Sequence, residues 1–465
     1  MLFYEGIDEG QSGKGHNDLP IIFGNLLQQL YNLADGKIVS TYVGTQAFAA
    51  VGATAVIANL IIGFVNGVTQ GFGIPISRCF GAGDYKNMRR YVAGSFIMTV
   101  AMTLILTVGA LLGIEGLLHI LDTPADIMEE ALQYIRIIIM GTAFISLYNY
   151  SANILRAVGE SRIPLLCLVV AVILNIFLDI LFVHTFSMGL RGAAHATNIA
   201  QCIAGVLCMA YLLFRFRELV PKGQEWQVQR RKYQEMTVFG ISLGMMSCFV
   251  SIGTVIFQTA VNRLGTKIVT AHIAARRIEE LTNVPMLCTG MAMTTYASQN
   301  LGAGEYDRIK KGIHQAFVIV LVQGVIFTTF CWIFGHPLIR WITSSNDTYI
   351  LDTAYRYLTR NTSFYFVLGP LFVLRCSLQG LEHKVIPVAS SILELVLKIV
   401  STIWIVPVLG YTGVIYTEPI IWIFMTLMLI GGYVRALKQI NEAEHIKSAR
   451  NAKAENEKIN VDNRL

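Results

Sequence analysis

Long apolar stretches alternate with short polar breaks along almost the whole chain. The stretches 92–114, 317–335 and 399–417 carry no charged residue, and a helix needs roughly 20 apolar residues to cross a bilayer. Charged and turn-rich breaks then divide the chain into twelve predicted membrane-spanning helices, called spans 1 to 12: 19–43, 46–79, 91–118, 124–157, 163–186, 189–216, 233–262, 265–299, 312–336, 347–378, 384–408 and 410–436. The pattern predicts an all-α polytopic membrane protein.

The second half of the chain repeats the first half at one constant offset, the one that separates Gly81 from Gly302. Residues separated by this offset are called repeat counterparts below. The motif FGAGDYKNMRR at 80–90 returns as LGAGEYDRIKK at 301–311. Six glycine pairs keep this one register: Gly44 and Gly265, Gly81 and Gly302, Gly83 and Gly304, Gly159 and Gly380, Gly189 and Gly410, Gly192 and Gly413. Apolar internal repeats are typical of secondary transporters, so the sequence predicts two six-helix lobes.

The predicted domains follow from these spans and their breaks. An N-lobe of spans 1 to 6 covers 19–216, and a C-lobe of spans 7 to 12 covers 233–436. A polar segment at 1–18 precedes the N-lobe, and a basic linker at 217–232 joins the two lobes. The polar tail at 437–465 is predicted to be a solvated or frayed end.

Composition agrees with a membrane location and adds an orientation. Hydrophobic residues make up 54% of the chain and charged residues 14%, against roughly 25% charged residues in soluble domains. Basic residues follow spans 2 and 8 and fill the linker, whereas the segment 115–135 has acidic residues and no Lys or Arg. Because Lys and Arg concentrate in cytoplasmic loops, both termini are expected to be cytoplasmic, with the protein in a bacterial inner (plasma) membrane.

The charge and cysteine patterns argue against several other roles. The net charge of +6 reflects the orientation of the chain in the membrane. The sequence has no basic stripe interleaved with aromatic residues, so no nucleic-acid partner is expected. Eight cysteines lie singly in apolar spans, without a Cys-x-x-Cys pair, so they are expected to pack. No metal site is expected beyond a possible Na⁺ site.

Polar side chains inside apolar spans are the candidates for chemistry. They are Gln28, Asn32 and Asp35 in span 1, Asn175 and Asp179 in span 5, and Thr197 in span 6. Within spans 1 and 5 the spacing of three to four residues gathers them on one helix face. An ionised carboxylate in a membrane is unfavourable by several kcal/mol unless it is paired or protonated. Asp35 and Asp179 are therefore expected to exchange a cation.

Six motifs, in this order, resemble the multidrug and toxic compound extrusion (MATE) family across residues 19–436. They are GNLLQQLYNLAD at 24–35, VGTQAFAAVGAT at 43–54, FGAGD at 80–84, ILRAVGESRIPL at 154–165, LNIFLD at 174–179 and QNLGAGEYDRIKKG at 299–312. The resemblance implies two six-helix lobes related by a pseudo-twofold axis along the membrane normal. It also implies export of organic cations or other drugs in exchange for H⁺ or Na⁺.

The resemblance further implies a coupling site in the N-lobe. The family's DinF-like branch carries an Asp on helix 1, an Asn and an Asp on helix 5, and a Thr on helix 6. Residues Asp35, Asn175, Asp179 and Thr197 match that set. Glu279 in span 8 sits at an acidic position common in the family, with a capping or packing role as the alternative.

The family's other main branch couples transport through carboxylates on helices 7 and 10 of the C-lobe. In this chain span 7 offers only Glu235, at its start, and span 10 offers Asp352, near its outer end. A second coupling site of that kind is therefore not expected.

The resulting hypothesis is a cation-coupled exporter that works by alternating access and is not an enzyme. Ionised Asp35 and Asp179 would hold a cationic substrate or Na⁺, with neutral oxygens from Asn175 and Thr197. No cofactor is expected beyond the coupling ion, H⁺ or Na⁺, and the expected partners are small organic cations or drugs and membrane lipid. A monomer is expected. Further cavity residues are expected at Gln28, Asn32, Tyr31, Tyr148, Tyr150 and Glu279, although lipid-facing packing explains the aromatic ones equally well.

Two alternatives remain open from the sequence. A lipid-linked oligosaccharide flippase of the same superfamily would need a cationic groove for a diphosphate, and Arg276, Arg277 and Lys398 are the nearest approach to one. An intramembrane aspartyl hydrolase would pair Asp35 with Asp179, but no enzyme motif surrounds either residue.

Overall fold

The computed structural model describes residues 38–39, 41–120, 123–343 and 345–462, and this part of the chain is almost entirely helical. Most of span 1, with Gln28, Tyr31, Asn32 and Asp35, lies outside the described residues. Spans 2 to 6 are Thr45–Gly81, Tyr85–Ile120, Ala125–Met140 with Thr142–Ala157, Arg162–Asp179 with a π-helical turn at Ile180–Thr185, and Gly189–Arg215. Spans 7 to 9 are Arg230–Asn262, Thr266–Ala303 and Tyr306–Thr343. Spans 10 to 12 are Thr348–Thr362 with Tyr365–Gly380, Val385–Val400 with a π-helical turn at Ser401–Ile405 and a last turn at Val406–Leu409, and Tyr411–Asp462.

Nine helices in the described part of the chain are long and apolar enough to cross a membrane. Their outward faces carry large apolar side chains that no protein neighbour covers, such as Leu112 (83% exposed), Trp341 (81%) and Val408 (80%). Such surfaces belong in lipid, because a soluble protein rarely exposes large contiguous apolar patches. The chain is a multi-pass membrane protein of helical fold.

Each lobe is a helical bundle with its own apolar cores. In the N-lobe, one core lies toward the linker and includes Met88 and Leu155, and a second lies toward the opposite membrane face and includes Ile114 and Ile135. The C-lobe has the same two-core arrangement along its spans. The side of the membrane on which the linker lies is called the linker side below.

Backbone geometry explains why glycines recur as repeat counterparts. Gly44 and Gly265 precede spans 2 and 8 with φ of 119° and 97°. The GAG turns close on Gly83 and Gly304, with φ of 68° and 69°. Residues with a Cβ rarely adopt such angles, so each repeat requires glycine at these positions for its turns.

The lobes meet along spans 2 and 7, where glycines allow the two backbones to touch. A Cβ on Gly67 would lie 2.6 Å from the carbonyl oxygen of Leu243, and a Cβ on Gly71 would lie 2.6 Å from that of Phe239. From the other lobe, Gly244 is similarly close to span 2. Two small residues four apart on each helix form the close-packing motif of membrane helices. This interface closes the linker side.

The two GAG turns face each other at the end of this interface. A Cβ on Gly81 would overlap the backbone carbonyl of Gln299, and a Cβ on Gly302 would overlap that of Arg78. Arg78 and Gln299 are themselves repeat counterparts. Reciprocal contacts between repeat counterparts are those expected beside a twofold axis, so the pseudo-twofold axis passes close to these turns.

Replacing Gly71 by Leu is expected to force the lobes apart on the linker side. Its neighbour is backbone, which cannot rotate away, so the contact with Phe239 cannot form. We expect a longer distance between spin labels placed on exposed Lys86 and Lys311, measured by double electron–electron resonance. Gly109→Leu is the matched control, because nothing lies within 4 Å of a Cβ there. An unchanged Lys86–Lys311 distance in the Gly71 variant would contradict this account of closure.

The polar tail is more ordered than predicted from its composition. Span 12 continues as one helix to Asp462, and Ile440 is buried. Glu444 forms an ion pair with Lys310 at the start of span 9, with 2.6 Å between the carboxylate oxygen and the ammonium nitrogen. The chain is therefore helical beyond the apolar pattern and contacts span 9 at Lys310, and the prediction that this end is solvated stays a prediction.

Candidate functional site

Spans 5 and 6 bring three predicted polar residues together inside the N-lobe. Asn175 (1% exposed) and Asp179 (0%) lie on one face of span 5, as their spacing predicts. In the amide orientation that satisfies both neighbours, the Asn175 nitrogen donates to Asp179 Oδ2 at 3.0 Å. Its oxygen then accepts from the backbone N–H of Thr197 at 3.1 Å. The amide thus connects the carboxylate to span 6.

The helix changes its hydrogen-bonding pattern directly after Asp179. Residues Ile180–Thr185 form a π-helical turn, a rare feature that frequently marks functional sites. The Thr197 hydroxyl donates to the carbonyl of Ala193 at 3.1 Å, and a hydroxyl that donates in this way still presents an acceptor oxygen to a cation. A carboxylate with neutral oxygens around it suits a hard monovalent cation or a proton. Asp35, the fourth predicted member, lies outside the described residues.

Asn198, next to Thr197, has a structural role. Its side-chain nitrogen donates to the carbonyl of Ile137 at 2.7 Å, just before span 4 breaks at Gly141. A Cβ at Gly141 would overlap the Asn198 side chain. In the C-lobe, Asn361 of span 10 donates to the carbonyl of Ile415 in span 12 at 3.2 Å, so each lobe supports its broken helix with one buried amide.

Tyr148 and Tyr150, possible cavity residues with packing as the alternative, are packed in the N-lobe core. Both are buried, at 7% and 6% exposed. The Tyr148 hydroxyl donates to the carbonyl of Pro164 at 3.1 Å, and the Tyr150 hydroxyl donates to that of Val92 at 3.0 Å. Neighbouring spans therefore satisfy both polar ends, as buried tyrosines require.

Glu279 is fully buried inside the C-lobe rather than along a cavity. Its Oε2 accepts from Arg276 at 3.2 Å and from the Tyr357 hydroxyl at 3.1 Å. Thr282, one turn further along span 8, lies 2.7 Å from the Tyr365 hydroxyl. Span 8 is thereby bound to span 10 through polar contacts. Because these contacts need polar side chains, span 8 has a low mean hydropathy.

The C-lobe holds a second group of buried charges, of which the sequence had indicated only Lys398. The Lys398 ammonium (3% exposed) lies 3.0 Å from Glu394 and 3.4 Å from Glu418. It also donates to the Thr254 hydroxyl at 3.3 Å. Arg375 approaches Glu394 from the other side at 3.6 Å. The spacing of four between Glu394 and Lys398 in an apolar span was the signal that could have revealed this group.

This C-lobe group and the N-lobe site lie in the same two spans of each repeat and share one pair of repeat counterparts. Glu418 is the counterpart of Thr197. Thr197 faces span 5, whose π-helical turn begins at Ile180, and Glu418 faces span 11, whose π-helical turn begins at the counterpart Ser401. The N-lobe site presents a carboxylate and an amide without an adjoining Lys or Arg in span 5. At the equivalent depth the C-lobe has a positively charged side chain, the Lys398 ammonium.

The cations considered for a diphosphate groove each have an acidic neighbour. Arg276 pairs with Glu279 at 3.2 Å, Arg277 lies 3.8 Å from Glu280, and Lys398 pairs as above. Three paired cations do not leave a free positive surface for a diphosphate.

Comparison with known proteins identifies the relatives of this chain. The MatE family model matches residues 20–181 and again 243–404, which together are more than half of the chain and reproduce its internal repeat.

Individual relatives agree with that match. The chain is 26% identical over 391 residues to the probable multidrug resistance protein YpnP of Bacillus subtilis, covering 83% of this chain and 84% of the relative. It is 26% identical over 338 residues to the probable multidrug resistance protein NorM of Thermotoga maritima, covering 70% and 71%. A crystal structure of MATE in complex with MaL6 superposes with a TM-score of 0.81 at 24% identity, covering 92% of this chain and 96% of that one.

Proposed function

The chain belongs to the MATE family, and from that premise we propose that it is a secondary active efflux transporter that exchanges organic cations or other drugs for H⁺ or Na⁺. The observation that carries the proposal is the fully buried Asp179 carboxylate, bound to Asn175 and next to Thr197. A carboxylate at this depth is stable only with a partner or a proton. It therefore responds to whichever cation reaches it.

Alternating access follows from the two lobes and their closed linker-side interface. With the linker side shut by spans 2 and 7, the cation site of the N-lobe communicates with the opposite membrane face. Exchange of the cation at Asp179, with Asp35 as the proposed second carboxylate, changes the packing of spans 5 and 6. The lobes then rock about the pseudo-twofold axis, the usual motion of repeat-built transporters.

The remaining partners and the location complete the proposal. Substrates are small organic cations or drugs, as the names of the bacterial relatives suggest. The transporter works as a monomer in lipid, in the inner membrane of a bacterium with both termini cytoplasmic, and needs no cofactor beyond its coupling ion. The DinF-like assignment of the coupling residues belongs to this proposal. The hydrolase alternative loses its basis with family membership, and the three cations considered for a flippase groove each have an acidic neighbour.

The coupling ion is tested with purified protein in proteoliposomes loaded with a fluorescent organic cation. Efflux is followed under an imposed Na⁺ gradient, under an imposed pH gradient, and under neither. We expect one gradient to drive efflux against a substrate gradient. Equal, downhill-only leakage in all three conditions would refute the proposed function.

A further inference from the structure

A cavity of about 780 Å³ opens between the lobes on the linker side. It is separate from the Asn175–Asp179–Thr197 site, which lies within spans 5 and 6. Its lining is strongly basic and comes from both lobes: Arg78, Arg90, Arg231, Lys232 and Lys384, with Glu235 and Glu382 as the acidic members. The cavity is therefore a basic chamber at the membrane surface, on the seam that closes one side of the transporter.

Arg78 pairs with both acidic residues of this chamber, and its single positive charge offsets one of the two carboxylates. It pairs with Glu235 at 2.9 Å and also contacts Glu382, so this one residue of span 2 binds span 7 and the turn after span 10 across the lobe boundary. Tyr91 donates a further hydrogen bond to Glu235. The lining as a whole has five cationic and two acidic side chains, so the chamber keeps a net positive charge.

Four lining cations lack a carboxylate partner among the described residues: Arg90, Arg231, Lys232 and Lys384. The Arg90 Nε is buried and makes no hydrogen bond within the described part of the chain. Lys232 lies 4.2 Å above the Tyr91 ring, and Lys384 lies 4.0 Å above the Phe239 ring. The rings fix the two ammonium groups in place without neutralising them.

Three helices also begin at this chamber. Asn87 and Arg90 belong to the first turns of span 3, Gln229 precedes span 7, and Lys384 precedes span 11. Helix N-termini carry positive partial charge and unpaired N–H groups. Asp84 already accepts from the Asn87 backbone N–H at 3.1 Å and from its side-chain nitrogen at 2.6 Å. The lining cations and the starts of spans 7 and 11 therefore remain for an oxyanion such as a phosphate.

We propose that this chamber binds a phosphate group, from an anionic phospholipid headgroup or a free phosphate ester, and that the bound phosphate holds the two lobes together on the linker side. Arg90 approaches the phosphate from the N-lobe, and Lys232 and Lys384 approach it from the C-lobe. The volume accommodates a glycerophosphate headgroup. Anionic ligand would therefore favour the conformation in which spans 2 and 7 touch, whichever ion drives transport.

The test compares the full chain with its Arg90→Gln/Lys384→Gln double variant. Both are placed in nanodiscs of phosphatidylcholine with or without phosphatidylglycerol, and separately in neutral detergent with glycerol 3-phosphate. Melting temperature reports binding, and native mass spectrometry counts retained phosphatidylglycerol. The matched control is Lys311→Gln, because Lys311 is exposed and is the repeat counterpart of Arg90 but does not line the chamber.

We expect an anionic ligand to raise the melting temperature of the unmodified chain and of the control. Each cation removed is expected to weaken binding about fivefold. A response to phosphatidylglycerol alone supports the lipid source, and a response to glycerol 3-phosphate supports the free ester. No response to either ligand, or an equal response in the double variant and the control, would overturn the proposal.

Discussion

Replacing Asp179 by Asn is expected to abolish gradient-driven efflux while leaving the folded protein intact. Asn keeps the shape of the side chain and can still contact Asn175, but it carries no charge to exchange a cation. A charge-assisted contact is worth about 1.5–3 kcal/mol, so the driven rate is expected to fall by at least about tenfold. Efflux from proteoliposomes under the effective ion gradient measures the loss, and size-exclusion chromatography checks folding.

Asp126→Asn is the matched control, because Asp126 is an exposed carboxylate at the start of span 4. Its efflux rate is expected to equal that of the unmodified chain. Equilibrium binding of the fluorescent cation separates two roles of Asp179: retained binding with lost driven efflux indicates coupling, and lost binding indicates direct substrate contact. Full driven efflux by Asp179→Asn would exclude this carboxylate from both roles.

The fold was predictable because the signals that specify it are periodic and repeated. Within the described residues, nine of the predicted spans are helices long and apolar enough to cross a membrane, and the constant offset of the repeat paired Gly44 with Gly265 and Gly83 with Gly304. Those glycines have matching positive φ angles, so the recurrence had a direct backbone cause. The tail was less predictable, since its order depends on the contact of Glu444 with Lys310, which no local pattern encodes.

The site was predictable only where neighbours along one helix define it. Asn175 and Asp179 share a face because of their spacing, and span 6 brings Thr197 beside them. Tyr148 and Tyr150 could not be placed, because sequence position does not say whether an aromatic ring in a membrane helix faces the core, a cavity or lipid.

The charges of the C-lobe were missed for a related reason. Apart from Glu394, which pairs with Lys398 within span 11, their partners come from different spans: Glu418 from span 12 meets Lys398, and Arg375 comes from span 10. A charged residue read alone within an apolar span gives no indication of its partner. The three-dimensional fold turns apparently isolated charges into a neutralised group.

Replacing Lys398 by Met is expected to destabilise the C-lobe severely. The substitution retains apolar volume but leaves Glu418 without its 3.4 Å partner, and leaves Glu394 with only Arg375. Breaking a buried ion pair by removing one member costs about 3–5 kcal/mol. We expect a marked fall in the melting temperature of the purified protein, measured from its intrinsic fluorescence.

The double variant Lys398→Met/Glu418→Gln separates uncompensated charge from lost packing. Removing the stranded carboxylate should restore much of the lost stability, since replacing both members of a buried pair is often nearly neutral.

Lys267→Met is the matched control, because Lys267 is exposed and pairs with Asp347 at 2.7 Å. That hydrogen bond and charge hold the pKa of the Asp347 carboxyl below its usual range, but solvent screens an exposed pair, so its loss is expected to change the melting temperature little. Equal melting temperatures for Lys398→Met and Lys267→Met, or no recovery in the double variant, would show that the buried charges of the C-lobe do not depend on Lys398 for their neutralisation.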